Sequence, residues 1–138
     1  MNQDDYGRLL NVLLEAERAG AKLLAAYTRE LAPGSAEFSA LSSVQRDEAR
    51  NCAVLIHCLL EAGAVPSTKT GDFYDRGLAI RDWHERLEFL NRGQAWVARR
   101  IAEALPRLQP SSARQALDEM HQSHLANIER CEGLFSTS

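Results

Sequence analysis

The chain contains little cysteine: three residues in 138, Cys52, Cys58 and Cys131. An odd number without a Cys-x-x-Cys pair argues against a disulfide framework and against a structural zinc site. We therefore expect reduced thiols that pack as small core side chains, and a cytoplasmic protein.

Long apolar runs and an excess of basic charge are also missing. No apolar run exceeds five residues, and the segment Met1 to Gly7 is polar and acidic. We expect neither a membrane span nor a signal peptide. The chain has sixteen Lys and Arg residues and nineteen Asp and Glu residues, which gives a net charge of -3. Without an overall positive field, we predict no nucleic-acid partner and no membrane partner.

Several catalytic motifs are absent too. The sequence has no glycine-rich phosphate loop, no nucleophile elbow and no His-Glu-x-x-His, so phosphoryl and acyl transfer have no visible apparatus. The composition, with 45% hydrophobic and 25% charged residues, is typical of a folded protein. The length fits one domain over residues 1–138.

Proline and glycine interrupt the chain at only three places, and the four segments between them show apolar residues at helical spacing. Four long helices are therefore predicted, and Ser112 with Gln115 has the form of a capping box. Their expected bounds are Asp4 to Leu31, Ser35 as N-cap to Gly63, Asp75 to Leu105, and Ser112 to Gly133.

The connections between these helices differ in length. Two are short turns, whereas the middle one, Ala64 to Gly77, is long enough to run the roughly 40 Å length of a helix when extended. This pattern predicts an all-α, ferritin-like four-helix bundle with a long crossover between helices two and three. A simple up-down bundle with a floppy middle loop is the alternative. Phe73, Tyr74 and Trp83 suit either a seal over the core or a dimer surface.

Each apolar stripe carries a polar residue near its middle, and these residues are Glu17, Glu48, Gln94 and His124. Antiparallel packing aligns helix midpoints, so we expect these side chains to meet in one layer. Asn91 lies one turn before Gln94, on an adjoining edge.

Two carboxylates in a low-dielectric interior need a neutraliser, and the sequence leaves three open. A transition-metal ion is the first. The second is an arginine that turns inward from a position one or two residues away from a central polar residue in the sequence: Arg18, Arg50 or Arg92. The third is a hydrogen-bonded layer with one protonated carboxyl, completed by Gln94, Asn91 and His124.

Other charged and imidazole side chains are expected outside the core. His57 and His84 lie off the stripes and are interpreted as surface or flanking residues. The arginines of the third helix alternate with glutamates, which predicts a salt-bridged solvent face. These arginines are Arg81, Arg86, Arg92, Arg99 and Arg100.

Four short runs carry a family resemblance: Glu17-Arg18-Ala19-Gly20, Arg46-Asp47-Glu48-Ala49-Arg50, Leu90-Asn91-Arg92-Gly93-Gln94, and His124 on the last helix. The chain resembles the ferritin-like superfamily, in particular small bacterial members with an Arg-Asp-Glu-Ala-Arg second helix. The resemblance implies the bundle fold and, in di-iron members, a Glu and a Glu-x-x-His from each half.

The sequence departs from that di-iron pattern. Glu17 and Glu48 match the first two carboxylates, but Asn51 stands where the first His is expected. Gln94 replaces the third carboxylate, and His121 stands three residues before His124 where a Glu is expected. The resemblance therefore implies one iron, manganese or zinc ion rather than two. Its candidate ligands are Glu17, Glu48 and His124, with Gln94, His121 and Asn91 as weaker or outer contributors.

Two functions follow as hypotheses. The first is a metal-binding ferritin-like protein, with redox or oxygen chemistry on a substrate that the sequence does not identify. The alternative is a non-catalytic bundle with a structural polar core that acts as an interaction or scaffold module. We expect a homodimer in either case, because long helical bundles of this size often bury one more face.

Overall fold

Helix is the regular structure throughout the computed structural model, which describes residues 1–136. The predicted all-α class is confirmed, whereas Thr137 and Ser138 of the predicted domain lie outside the described residues. Five α-helices and one 3₁₀ turn occur among residues 1–136. They are α1 Gln3–Thr28, α2 Ala36–Glu61, α3 Phe73–Leu78, α4 Trp83–Ala104, the turn Leu105–Arg107, and α5 Ser112–Ser136.

The four long helices begin at side-chain caps, and two of these caps differ from the predicted ones. Ser35 caps α2 as expected and accepts a 3.1 Å hydrogen bond from the amide three residues on. At α1 the cap is Asn2 rather than Asp4, which already lies inside the helix. At α5 it is Ser111 rather than Ser112, because a cap residue must stand just before the first turn.

The third predicted helix is in fact two. Residues 73–78 form the short α3, and α4 begins only at Trp83, where Asp82 accepts a 2.9 Å hydrogen bond from the Glu85 amide. The carbonyl of Ile80, between the two helices, accepts a 2.8 Å hydrogen bond from Arg86 Nε. The connection from α2 to α4 therefore covers residues 62–82 and contains α3.

The core consists of two apolar clusters, and each of the four long helices contributes to both. The buried members of one are Leu10, Leu13, Leu14, Leu55, Cys58, Leu59, Val97, Ile101, Leu117 and Met120. Those of the other are Leu23, Leu24, Tyr27, Leu41, Val44, Leu87, Phe89, Leu90 and Cys131. Along every long helix, the predicted polar residue lies between these two sets.

Aromatic residues of the connection pack onto the second cluster. Phe73 stacks on Phe89 with ring centroids 4.4 Å apart, and Trp83 meets the edge of Tyr27 at 5.6 Å. Tyr27 Oη donates a 2.7 Å hydrogen bond to the carbonyl of Gly77. Burial raises the pKa of Tyr27 to about 12, so the phenol keeps the proton that this bond needs. The connection is thus fastened over the core.

The three cysteines are free thiols, as expected. Burial raises the pKa of Cys52 to about 11, and the same cause raises the pKa of Cys131 to about 11. Both therefore remain protonated near neutral pH and pack as core side chains rather than act as thiolate nucleophiles. None of the helices within residues 1–136 combines the length and the apolar character needed to cross a bilayer.

Candidate functional site

Glu17 and His124 form a buried pair at the centre of the molecule. Each is 1% exposed, and His124 Nε2 contacts Glu17 Oε1 directly. Asn51 Nδ2 donates a 3.1 Å hydrogen bond to the other oxygen of Glu17. His124 Nδ1 lies 3.4 Å from Gln94 Oε1. Both oxygens of Glu17 and both ring nitrogens of His124 therefore have partners.

Gln94 extends this network across α4 to α5. Its Nε2 donates to Asn91 Oδ1 at 3.2 Å, and Asn91 Nδ2 donates to the Ile128 carbonyl at 3.3 Å. The helical spacing of the sequence placed Glu17, Gln94 and His124 together, and the structure joins them through direct contacts. Asn51, identified only as the residue that replaces a histidine, belongs to the same network; its position one turn after Glu48 was the available signal.

The three predicted arginine neutralisers point elsewhere. Arg18 donates a 2.8 Å hydrogen bond to the Lys69 carbonyl, and Arg50 pairs with Asp47. The guanidinium of Arg92 lies 4.0 Å from a Glu88 oxygen on the solvent side of α4. The histidine, not an arginine, therefore faces the Glu17 carboxylate.

Arg86 corrects the prediction of an entirely exposed arginine face. It is 2% exposed, donates to Ile80, and lies 3.2 Å from the nearer oxygen of Glu30. Its guanidinium carbon lies 4.5 Å from the ring centroids of Tyr27 and of Trp83. Contacts that are remote in sequence, rather than the local charge pattern, draw this side chain inward.

Glu48 differs from Glu17 although both lie in the interior. It is 6% exposed, and its Oε2 has no hydrogen-bond partner. Burial, followed by the neighbouring Glu17 and Asp47 carboxylates, raises the pKa of Glu48 well above its usual range. A Cβ on Gly20 would lie 2.9 Å from Glu48 Cδ, so the carboxyl depends on a glycine for its space.

A cavity of about 460 Å³ opens beside this carboxyl, within the range of small-molecule sites. It lies between α1, residues 70–72, α3 and α4, and Glu48, Gln94 and Gly20 line its buried side. Three aromatic side chains contribute to its walls and two exposed arginines to its rim. These residues are Phe73, Phe89, Trp96, Arg76 and Arg92.

Two further polar features lie outside the cavity. His121 is half-buried, its Nδ1 has no partner, and no contact joins it to the other predicted ligands. Asp47 Oδ2 accepts a 3.2 Å hydrogen bond from Asn127 Nδ2 and a 3.4 Å bond from Ser123 Oγ. These two hydrogen bonds hold α2 to α5 next to the polar layer.

The predicted metal site fits this geometry only in part. Carboxylate and imidazole donors suit iron, manganese or zinc. Within residues 1–136, however, no three His, Cys, Asp or Glu side chains are grouped closely enough to hold an ion. Glu17 and His124 contact each other, while Glu48 has an unpartnered oxygen, lines the cavity and does not complete a three-ligand group with them.

The family described as a domain of unknown function (DUF6306) matches residues 5–133. The match covers α2 and α4 completely, most of α1 and α5, the central polar residues, and the residues that line the cavity. No curated protein matches the chain.

Proposed function

The chain belongs to the DUF6306 family, and we propose that it binds a small organic molecule in the cavity beside Glu48. One observation carries this proposal: Glu48, whose buried carboxyl has an oxygen without a hydrogen-bond partner, lines a cavity of small-molecule size. Buried polar atoms nearly always have partners. A ligand group that bonds the Glu48 carboxyl would supply a partner.

The walls of the cavity favour a ligand with an apolar or aromatic body. Phe73 and Phe89 are already stacked, and Trp96 lies on the same helix as Phe89. Gly93 permits this arrangement, because a Cβ there would lie 2.7 Å from Phe73 Cζ. Apolar walls with a few fixed polar groups are typical of sites for small molecules.

The proposal includes a ferritin-like four-helix bundle with a long crossover. Tyr27, at the end of α1, packs on Trp83 at the start of α4, while α2 also begins just after α1. These contacts support parallel α2 and α4, joined by residues 62–82. The resemblance of the central residues to ferritin-like proteins supports the same arrangement.

A bound transition-metal ion is the second candidate. It is favoured by the unpartnered oxygen of Glu48 close to the Glu17 and His124 pair, since Glu17 influences the pKa of Glu48. In that case protein purified without chelator retains about one iron, manganese or zinc ion per chain, and Glu48→Ala loses it. Elemental analysis that finds no ion removes this candidate and leaves the first in place.

Two broader properties are also proposed. Free thiols at all three cysteines support a reducing, cytoplasmic location. A homodimer is proposed from the size of the helical assembly, and light scattering after gel filtration measures it directly as the mass in solution.

The small-molecule proposal is tested with 4-ethylphenol, which has an aromatic body and one hydroxyl. We expect saturable NMR shifts of the Gly20 and Gly93 amides. Ala16 lines the cavity, so Ala16→Leu fills part of it and should weaken binding about tenfold. Ala26 is half-buried on the same helix but does not line the cavity, so Ala26→Leu is the matched control. The absence of saturable shifts, or equal binding by both variants, contradicts the proposal.

A further inference from the structure

We infer that the ligand of this cavity is a small aromatic carboxylic acid, with its carboxylate between Arg76 and Arg92 and a hydroxyl at the opposite, buried end. This inference rests on the proposed small-molecule function and adds the chemical class of the ligand. It commits to a charge and to an orientation, and each can be tested separately.

The two arginines carry the charge assignment. Both line the cavity and both are exposed, and their guanidinium carbons approach the same ring, that of Phe89, at 5.6 and 5.9 Å. The ion pair of Arg92 with Glu88 is long, at 4.0 Å, and exposed. No carboxylate of residues 1–136 forms an ion pair with Arg76. Two like charges gathered at one ring favour an anion between them.

The acidic residues of the lining do not supply that anion. Glu15 accepts a 2.7 Å hydrogen bond from Ser67 Oγ and forms no ion pair with either arginine in the described chain. Asp72 is exposed at the start of α3 and makes no side-chain cap bond there. It repels a bound carboxylate, so Asp72→Asn should strengthen binding.

The buried end carries the orientation. Glu48 Oε2 is unpartnered, whereas the amide of Gln94 is already bonded to Asn91 and lies near His124. A hydroxyl both donates and accepts hydrogen bonds, so it fits the Glu48 carboxyl in either protonation state. The aromatic body then lies between the two ends, against Phe73, Phe89 and Trp96.

Three probes with one ring and one hydroxyl test the charge: 4-hydroxyphenylacetate, neutral 4-ethylphenol and cationic tyramine. We expect 4-hydroxyphenylacetate to bind about fivefold more tightly than 4-ethylphenol, the scale of an exposed ion pair. Tyramine should bind most weakly. The preference for the carboxylate should shrink between 50 and 500 mM salt, because salt screens exposed charges.

Arginine variants assign the preference to its source. The double substitution Arg76→Gln with Arg92→Gln should lower the affinity for 4-hydroxyphenylacetate about fivefold, to that of 4-ethylphenol. It should leave 4-ethylphenol binding unchanged. Arg99 is exposed on α4 and does not line the cavity, so Arg99→Gln is the control and should behave as the wild type.

Phenylacetate, which lacks the hydroxyl, tests the buried end. It should bind about fivefold more weakly than 4-hydroxyphenylacetate, the scale of one net hydrogen bond, and Glu48→Leu should remove this difference. Comparison of the two probes in wild-type protein keeps the test valid if the variant fails to fold. Equal affinity for the two probes in wild-type protein overturns the orientation.

The outcomes separate the two proposals. Equal affinity for the three charged and neutral probes overturns the carboxylate assignment and leaves the small-molecule function standing. A carboxylate preference that survives the double arginine substitution overturns the role of the two arginines. The absence of cavity shifts with every probe overturns both the inference and the function on which it rests.

Discussion

Arg86 and Glu48 are both charged residues in the interior, but their surroundings differ. Arg86 has Ile80 and both oxygens of Glu30 as acceptors and two aromatic rings beside its guanidinium. Glu48 has an oxygen without a partner, and the carboxylates that help to raise its pKa, Glu17 and Asp47, are of its own sign. A complete set of partners indicates a structural role, whereas an incomplete set beside a cavity indicates a site.

Their positions in the fold explain the difference. Arg86 lies in the first turn of α4, where the connection supplies a free carbonyl and the half-exposed Glu30 keeps part of the pair in water. Glu48 lies in the middle of α2, where every backbone carbonyl is used within the helix. A buried carboxyl there depends on side chains or on a ligand for its partners.

The largest expected effect comes from removing the satisfied charge. Arg86→Ala leaves the Ile80 carbonyl without its donor and removes the guanidinium that packs on the rings of Tyr27 and Trp83. We expect the free energy of unfolding to fall by about 3 kcal/mol in urea denaturation. Arg81, exposed before the same helix, is the control, and Arg81→Ala should change stability by less than about 0.5 kcal/mol. A loss below about 1 kcal/mol at Arg86 shows that its partner set does not stabilise the fold.

A smaller effect is expected where a glycine gives space to the unsatisfied carboxyl. In Gly20→Ala the new Cβ overlaps the Glu48 carboxyl, which must move to make room. We expect a loss of about 1 kcal/mol in unfolding free energy, together with weaker binding of 4-ethylphenol.

A double-mutant cycle isolates this contact. When Glu48 is already alanine, Gly20→Ala should cost less than it does in the wild type, because the group that it overlaps is gone. Additive effects of the two substitutions indicate that the Gly20 backbone, rather than the Glu48 carboxyl, is sensitive to the methyl group.

Helical periodicity was sufficient to predict the centre of the molecule. Four polar residues interrupt the apolar stripes: Glu17, Glu48, Gln94 and His124. A residue on such a stripe is buried regardless of which helices pack against it. Periodicity could not predict that His124 would take Glu17 as its partner and leave Glu48 without one, because that choice depends on side-chain geometry.

Helical periodicity also could not predict the burial of Arg86 or the cavity, because both depend on contacts between distant parts of the chain. The partner Glu30 lies 56 residues from Arg86 along the chain, and the local pattern around Arg86 is that of a solvent face. The cavity depends on the path of residues 70–72 and on α3, where no periodic pattern fixes the backbone. Contacts that depend on the path of a connection cannot be predicted from sequence periodicity and require a three-dimensional structure.

The last expected effect is a change in the pH dependence of stability. Because the pKa of Glu48 is raised on folding, the folded protein keeps this proton over a range where the unfolded chain has lost it. The contribution of Glu48 is therefore most favourable below its ordinary value of 4.5 and is lost as the pH rises toward the folded-state pKa. Glutamine does not titrate, so Glu48→Gln lacks this loss.

The stability advantage of Glu48→Gln should therefore grow from pH 4 to pH 8, measured by urea unfolding in the presence of a chelator and without ligand. Exposed Glu129 is the control, and Glu129→Gln should follow the wild-type profile. Parallel profiles for Glu48→Gln and the wild type contradict the unsatisfied state of this carboxyl. A growing gap shows that Glu48 destabilises the metal-free, ligand-free protein as the pH rises. A residue that costs stability and lines the cavity is better explained by a binding role than by a purely structural one.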